Sequence, residues 1–323
     1  MSIYRSVTWF VKGLREYTKG GYQSASKHFN SSDLDVDIAH RSYMITGANS
    51  GIGRFVALTI AKKGGTVHLV CRNKDRGEAA QKDIREQARN ENVHLHIVDL
   101  SRPAQIVAFT EQFKNSGQTL NVLINNAGVL VNGDQRQVTE DGLETTFATN
   151  TLGVHMLTKG LIPVLKNAED PRVITVSSGG MLVQKLDVKD LQFERMTKFD
   201  GTLAYSQTKR QEVVLTSLYA KLYPEIHFSS MHPGWVDTPG VQTSLPQFYE
   251  KMKDKLRSEE QGADTVIWLA VSPAATKHGS GLFFQDRTPV STHLPLAWTK
   301  SSPAEEQELI SKLDELAQKY TTV

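Results

Sequence analysis

The stretch Ser42-Tyr43-Met44-Ile45-Thr46-Gly47-Ala48-Asn49-Ser50-Gly51-Ile52-Gly53 decides how this chain is read. Ser42 to Thr46 is a short apolar run, three glycines follow, and Ile52 to Lys63 has the helical spacing of Phe55, Leu58 and Thr59. A glycine-rich turn between a strand and a helix is the context in which such glycines hold a dinucleotide. Gly47 permits the tight turn, Gly51 lets backbone approach a pyrophosphate, and Gly53 allows close helix-to-strand contact. Thr46, Gly47, Asn49, Ser50, Gly51, Ile52 and Gly53 are therefore expected to form a phosphate cradle. The helix N-terminus adds free N–H groups and partial positive charge.

The alternation continues outward. Strands are expected at Thr66 to Cys71, His94 to Val98, Val122 to Ile124, Arg172 to Ser177 and Ile226 to Met231, with a charged helix running to Asn90. Strands that read as continuous apolar runs rather than alternating ones predict a buried parallel sheet. The fold class expected is α/β, a Rossmann-type doubly wound sheet, in one domain over residues 40–323. Residues 1–39 form an amphipathic appendage and linker, and Ser302-Pro303-Ala304-Glu305-Glu306 opens a C-terminal helix over about 303–320. Of 323 residues, 39% are hydrophobic and 22% charged, enough to build a core. A net charge of +2 with no extended basic patch argues against nucleic acid as a partner. Cys71 is the single cysteine, so no intrachain disulfide forms and an intracellular, reducing compartment fits. No metal site is expected, and no run of about 18 apolar residues would span a membrane.

The residues after the second strand, Cys71-Arg72-Asn73-Lys74, bear on the cofactor. An NAD enzyme places an acid there for the ribose hydroxyls; here a guanidinium stands instead, which suits a 2′-phosphate. NADP is the expected cofactor, with NAD as the alternative. Asp99, after the third strand, can accept from the adenine amino group. Asn125-Asn126-Ala127-Gly128 follows the fourth strand, and Asn126, Ala127 and Gly128 can tie strands together while leaving room for the adenosine half.

Tyr205 and Lys209 lie four apart and so share a helix face. Free tyrosine is a weak acid near neutral pH, but a neighbouring ammonium and an oxidised nicotinamide both favour tyrosinate. The pair can supply the proton that a carbonyl needs on receiving hydride. Ser178 would hydrogen-bond the substrate oxygen, with Ser177 as the alternative.

Thr46 to Gly53, Asp99, Asn125 to Gly128, Asn150, Ser178, Tyr205 with Lys209, and Pro233-Gly234 together resemble the short-chain dehydrogenase/reductase family over about residues 40–290. Ala204-Tyr205-Ser206-Gln207-Thr208-Lys209 and His232-Pro233-Gly234 are similar to its retinol-dehydrogenase-like branch. The resemblance implies an NAD(P)(H)-dependent interconversion of alcohol and carbonyl, with Ser178 as the serine and Lys209 holding the nicotinamide ribose. It also implies that Asn150 bends its helix and anchors a proton-relay water. Pro233, Gly234 and Thr238 would run along the nicotinamide, and the family's habit of dimerising through long helices implies a homodimer. His232 is read as a packed or surface histidine rather than an acid-base group.

Two segments address location and substrate. Residues 1–29 carry five basic residues and one acid, and Tyr4, Val7, Val11 and Leu14 make a helical stripe. That pattern fits packing on the domain or peripheral membrane attachment, ahead of an organelle presequence. The expected location is cytoplasmic or at a membrane surface rather than mitochondrial. Leu245, Phe248, Tyr249 and Met252 on one side of Val241 to Arg257 suggest a lipophilic substrate. The rival reading is a nucleotide-binding scaffold or membrane-attached interaction protein with little turnover; intact Ser178, Tyr205 and Lys209 argue against it.

Overall fold

The computed structural model describes residues 3–321. Two helices, α1 (Ile3–Glu16) and α2 (Lys19–Ser26), precede β1 (Ser42–Thr46), α3 (Gly51–Lys62), β2 (Thr66–Cys71), α4 (Lys74–Ala88), β3 (Val93–Ile97) and α5 (Pro103–Asn115). The second half runs through β4 (Val122–Asn125), α6 (Thr145–Phe147), α7 (Val154–Leu165), β5 (Arg172–Val176), α8 (Gly201–Leu222) and β6 (His227–Met231). After it come α9 (Pro239–Ser244), α10 (Pro246–Met252), α11 (Glu259–Val271), α12 (Pro273–Thr276), β7 (Leu282–Gln285), β8 (Thr288–Pro289) and α13 (Pro303–Thr321).

The strands form one sheet in the order β3-β2-β1-β4-β5-β6-β7-β8, parallel throughout except for the β7–β8 pair. The order reverses between β1 and β4, and ligands of such sheets bind at that switch, beyond the carboxyl ends of the strands. Both faces are covered, which is why β1, β4 and β5 are buried at every position. Met44, Leu123, Leu157, Leu161 and Phe228 belong to the core on one face; Tyr43, Ile45, Ile124, Val266 and Trp268 belong to that on the other.

The seventh strand, Leu282–Gln285, extends the sheet past the sixth, pairing in parallel with β6. In the segment of residues 31–37, Asp33 accepts from the Trp268 indole at 2.9 Å and fastens it to α11. On α13, Leu309 and Leu313 are fully buried, and Ser302 and Glu305 cap its start reciprocally.

The N-terminal helix divides its residues in an unexpected way. Tyr4, Val7, Val11 and Leu14 point to solvent, while Trp9, Gly13 and the following Tyr17 face the domain. Tyr17 is completely buried, its ring edge-on to His232 at 4.5 Å, and its carbonyl accepts from the Trp235 N–H. A Cβ on Gly13 would clash with the Trp235 ring, so glycine is what lets α1 approach. Among the described residues no helix is long and apolar enough to cross a membrane.

Candidate active site

Six of the residues singled out above sit just beyond the carboxyl ends of successive strands. Gly47 follows β1, Arg72 β2, Asp99 β3, Asn126 β4, Ser178 β5 and Pro233 β6. Gly47 and Gly51 have positive φ, +66° and +57°, which other residues adopt with strain. A Cβ on Gly53 would meet the Gly47 carbonyl oxygen at 2.6 Å. The turn is thus as tight as backbone permits, and Ser50 ends it with a hydroxyl that makes no cap hydrogen bond. Opposite stands Thr238, whose methyl would be 3.4 Å from a Cβ on Gly51.

Thr46 and Asn126 hold this turn from beneath rather than reaching into it. Thr46 is fully buried, and its hydroxyl accepts from the N–H groups of Asn126 and Ala127 at 3.0 and 2.9 Å. The Asn126 amide donates to the Thr46 carbonyl at 2.8 Å, locking β1 to β4. Asp99 accepts through Oδ1 from the N–H and hydroxyl of Ser101, so Oδ2 is the oxygen left for a ligand. Arg72 is exposed and makes no hydrogen bond or ion pair among the described residues, while Asn73 beside it caps α4.

On the other side of the switch, α8 carries Tyr205 and Lys209, four residues apart. The Lys209 ammonium stands 5.5 Å from the centre of the Tyr205 ring and donates to the Val176 carbonyl at 3.0 Å. The Ser178 side chain lies near enough to the Tyr205 hydroxyl to favour its ionised form, and its own hydroxyl accepts from the Gly180 N–H at 3.1 Å. Ser177, in contrast, is buried and donates to the Lys209 carbonyl at 2.9 Å, so its hydroxyl faces away from the cleft. Asn150 lies in a π-helical stretch, Ala148–Gly153, between α6 and α7. Its amide spans to Val129, accepting from that N–H at 2.8 Å and donating to that carbonyl at 2.9 Å. A Cβ on Gly128 would lie 3.2 Å from the Lys209 nitrogen and 3.6 Å from Asn150 Oδ1, so these residues share one hollow.

The electrostatics differ from the simple expectation. Burial pushes the Tyr205 phenol above its ordinary value; Lys209 pulls it down, Glu212 raises it again and the Ser178 side chain lowers it. Burial also works against the Lys209 ammonium, yet Glu212 and Tyr205 together hold it above the usual lysine range. Glu212, buried and 2.8 Å from Lys209, is the residue that sequence reasoning missed. His232 is buried against Gln285 and Tyr17, and burial takes it down to about 4, consistent with a packed neutral ring.

The segment after β6 is tied down by Arg257. Its guanidinium binds Asp286 bidentately at 2.6 and 2.9 Å and donates to the carbonyls of Glu16, Thr18 and Pro233. Gly234, at φ +79°, leaves room for that side chain. Through α9, α10 and the residues that join and follow them, Leu245, Phe248 and Tyr249 are half-buried and Met252 is buried, with Phe248 edge-on to Trp235 at 5.2 Å, while Lys251, Lys253 and Lys255 are exposed. Ser244 donates to the Leu130 carbonyl at 3.0 Å.

A family model described as short chain dehydrogenase matches residues 41–188. Dehydrogenase/reductase SDR family member 12 of Bos taurus is 62% identical over 320 residues, covering 99% of this chain and 100% of that protein. The chain belongs to the short-chain dehydrogenase/reductase family. Retinol dehydrogenase 12 of Mus musculus is a more distant member, 33% identical over 78% of this chain and 79% of its own length. Among solved structures, an uncharacterised protein from Mycobacterium paratuberculosis superposes with a TM-score of 0.69 at 25% identity, covering 88% of this chain and 97% of its own. A short chain dehydrogenase from Escherichia coli CFT073, complexed with NADPH, superposes with a TM-score of 0.63 at 20% identity over 80% of this chain and 100% of its own, a likeness of fold. Family membership makes the chain an oxidoreductase with a nucleotide-binding Rossmann fold. A nicotinamide dinucleotide fits the residues present: the glycine turn opens α3 with two positive-φ glycines and a Ser50 hydroxyl that makes no cap hydrogen bond, and polar groups ring the switch point.

Proposed function

We propose that this protein is an NADP(H)-preferring oxidoreductase that interconverts an alcohol and a carbonyl on a lipophilic substrate. The observation that carries it is the meeting of Ser178, Tyr205 and Lys209 in one hollow beside the glycine turn. The nicotinamide supplies hydride when bound. The protein's own part is to hold the substrate oxygen between the hydroxyls of Ser178 and Tyr205 and to pass a proton through the Tyr205 oxygen. Lys209 favours the phenolate while the ribose hydroxyls engage its ammonium, and Asn150 keeps the loop at Val129 in place. Exposed Arg72 would meet a 2′-phosphate, as befits a fold also seen with NADPH. The half-buried apolar residues Leu245, Phe248 and Tyr249 along α9 and α10, together with a retinol dehydrogenase among the relatives, favour a lipophilic substrate.

The outer face of α1 fits peripheral attachment to a membrane. Ile3 and Val7 are 82% and 57% exposed, with Phe10, Val11 and Leu14 beside them and Arg15 and Lys19 on the flank. Tyr4 donates to the Pro295 carbonyl at 2.9 Å, which brings Leu296 and Trp298, 76% and 83% exposed, alongside. Replacing Val7, Val11 and Trp298 by Ser should abolish sedimentation with anionic phospholipid vesicles; unchanged sedimentation rejects the attachment. Purified protein should reduce long-chain or retinoid aldehydes with NADPH, and Tyr205→Phe should lower turnover by about 100-fold or more. Undiminished turnover in Tyr205→Phe would sink the mechanism.

A further inference from the structure

The hollow contains an acid that the proton-transfer scheme above does not use. Glu212 lies three residues beyond Lys209 on α8, is 1% exposed, and holds the ammonium through Oε1 at 2.8 Å. Its other oxygen, Oε2, is buried without a hydrogen-bond partner. An uncompensated carboxylate oxygen is costly in such a place, and one satisfied oxygen does not remove that cost. The ammonium is therefore shared: it donates to Glu212 and to the Val176 carbonyl while facing the Tyr205 ring. Tyr205, Lys209 and Glu212 are the charged or titratable groups that act on one another here. The elements packed against them, at Gly128, Asn150, Val176 and Ser178, present only neutral groups.

We propose that Glu212 is a positioning residue: its buried carboxylate fixes the Lys209 ammonium and takes up part of the positive charge that would otherwise act on Tyr205. With the acid present, Lys209 is held in place before cofactor arrives, and its pull on the phenol is tempered. Removing the negative charge without changing the shape, as in Glu212→Gln, leaves the whole ammonium facing the phenol, so tyrosinate forms more readily. Burial at such a site works in the same direction as Glu212, toward the neutral phenol, and the substitution leaves burial unchanged.

This inference rests on the nucleotide-dependent reading above, and its test separates the two. Tyrosinate absorbance is titrated with pH in the presence of saturating NADP+, for the native protein and for Glu212→Gln, subtracting in each case the same protein carrying Tyr205→Phe. The Tyr205 midpoint should fall by about half a pH unit or more in Glu212→Gln. Glu212→Asp, which keeps the charge one methylene further from Lys209, should give a midpoint between the two. It serves as the deciding variant if Glu212→Gln does not fold. A midpoint that stays put or rises in both variants overturns the role of Glu212. Failure of the native protein to bind NADP+ overturns the nucleotide-dependent reading instead.

Discussion

Replacing Arg257 by Leu should remove one of the most heavily used side chains in the protein. Its guanidinium is 1% exposed and satisfies Asp286, itself nearly buried, through two hydrogen bonds. Breaking one side of a buried ion pair costs about 3–5 kcal/mol because the remaining charge is left without compensation. The carbonyls of Glu16, Thr18 and Pro233 also lose their donor, at about 1 kcal/mol for each that water does not reach. A loss of about 5 kcal/mol is expected, near 10 °C in Tm for a chain of this size. Because two of those carbonyls belong to the N-terminal segment, residues 1–29 should also become the first site of proteolysis. Chemical denaturation gives the free energy, and timed trypsin digestion locates the opening. The double variant Arg257→Leu/Asp286→Asn removes the stranded charge and should regain about half of the loss. A single variant costing less than about 1 kcal/mol, or a double variant no better than the single, would refute this account of the cluster.

Gly53→Ala should force a methyl onto the Gly47 carbonyl, destabilising the protein by about 1–3 kcal/mol and weakening NADPH binding at least about tenfold, as read by denaturation and nucleotide fluorescence. Native stability with native affinity would show that the turn has slack. Acid should also unfold the protein through its histidines. Burial and the neighbouring His96 and His94 hold His68 down at about 3, and burial takes His232 down to about 4. A base whose folded value is depressed binds its proton in the unfolded chain first, so its contribution is intact above about 6.5 and is lost as pH falls toward 4. Each should cost about 2 kcal/mol between pH 7 and pH 5; His68→Gln should flatten that slope, and an unaltered slope would contradict the assignment.

How much was legible depended on whether the deciding contacts are local. The glycine turn, the strands from Ser42 to Met231 and the helix carrying Tyr205 and Lys209 are written in short-range pattern, and the structure has them within a residue or two. Strand β7 escaped because four residues, one of them half-exposed Leu282, carry too little periodicity to stand out beside Gly281. In α1 the visible stripe of Tyr4, Val7, Val11 and Leu14 turned out to be the outer face. The packed face is set by Gly13 meeting Trp235, more than 200 residues away, and no local pattern encodes that. The position of Ser177 was settled by its bond to the Lys209 carbonyl, a tertiary fact, whereas Glu212 pairs with Lys209 at an i, i+3 spacing that the sequence carried and only its burial made telling.

The most direct test of the nucleotide site is a side-by-side titration of the purified protein with NADPH and NADH, followed by nucleotide fluorescence. Tight NADPH binding, clearly tighter than NADH, with the preference lost in Arg72→Ala, is the expected result. Absence of binding by either nucleotide would contradict the assignment of the hollow as a working active site.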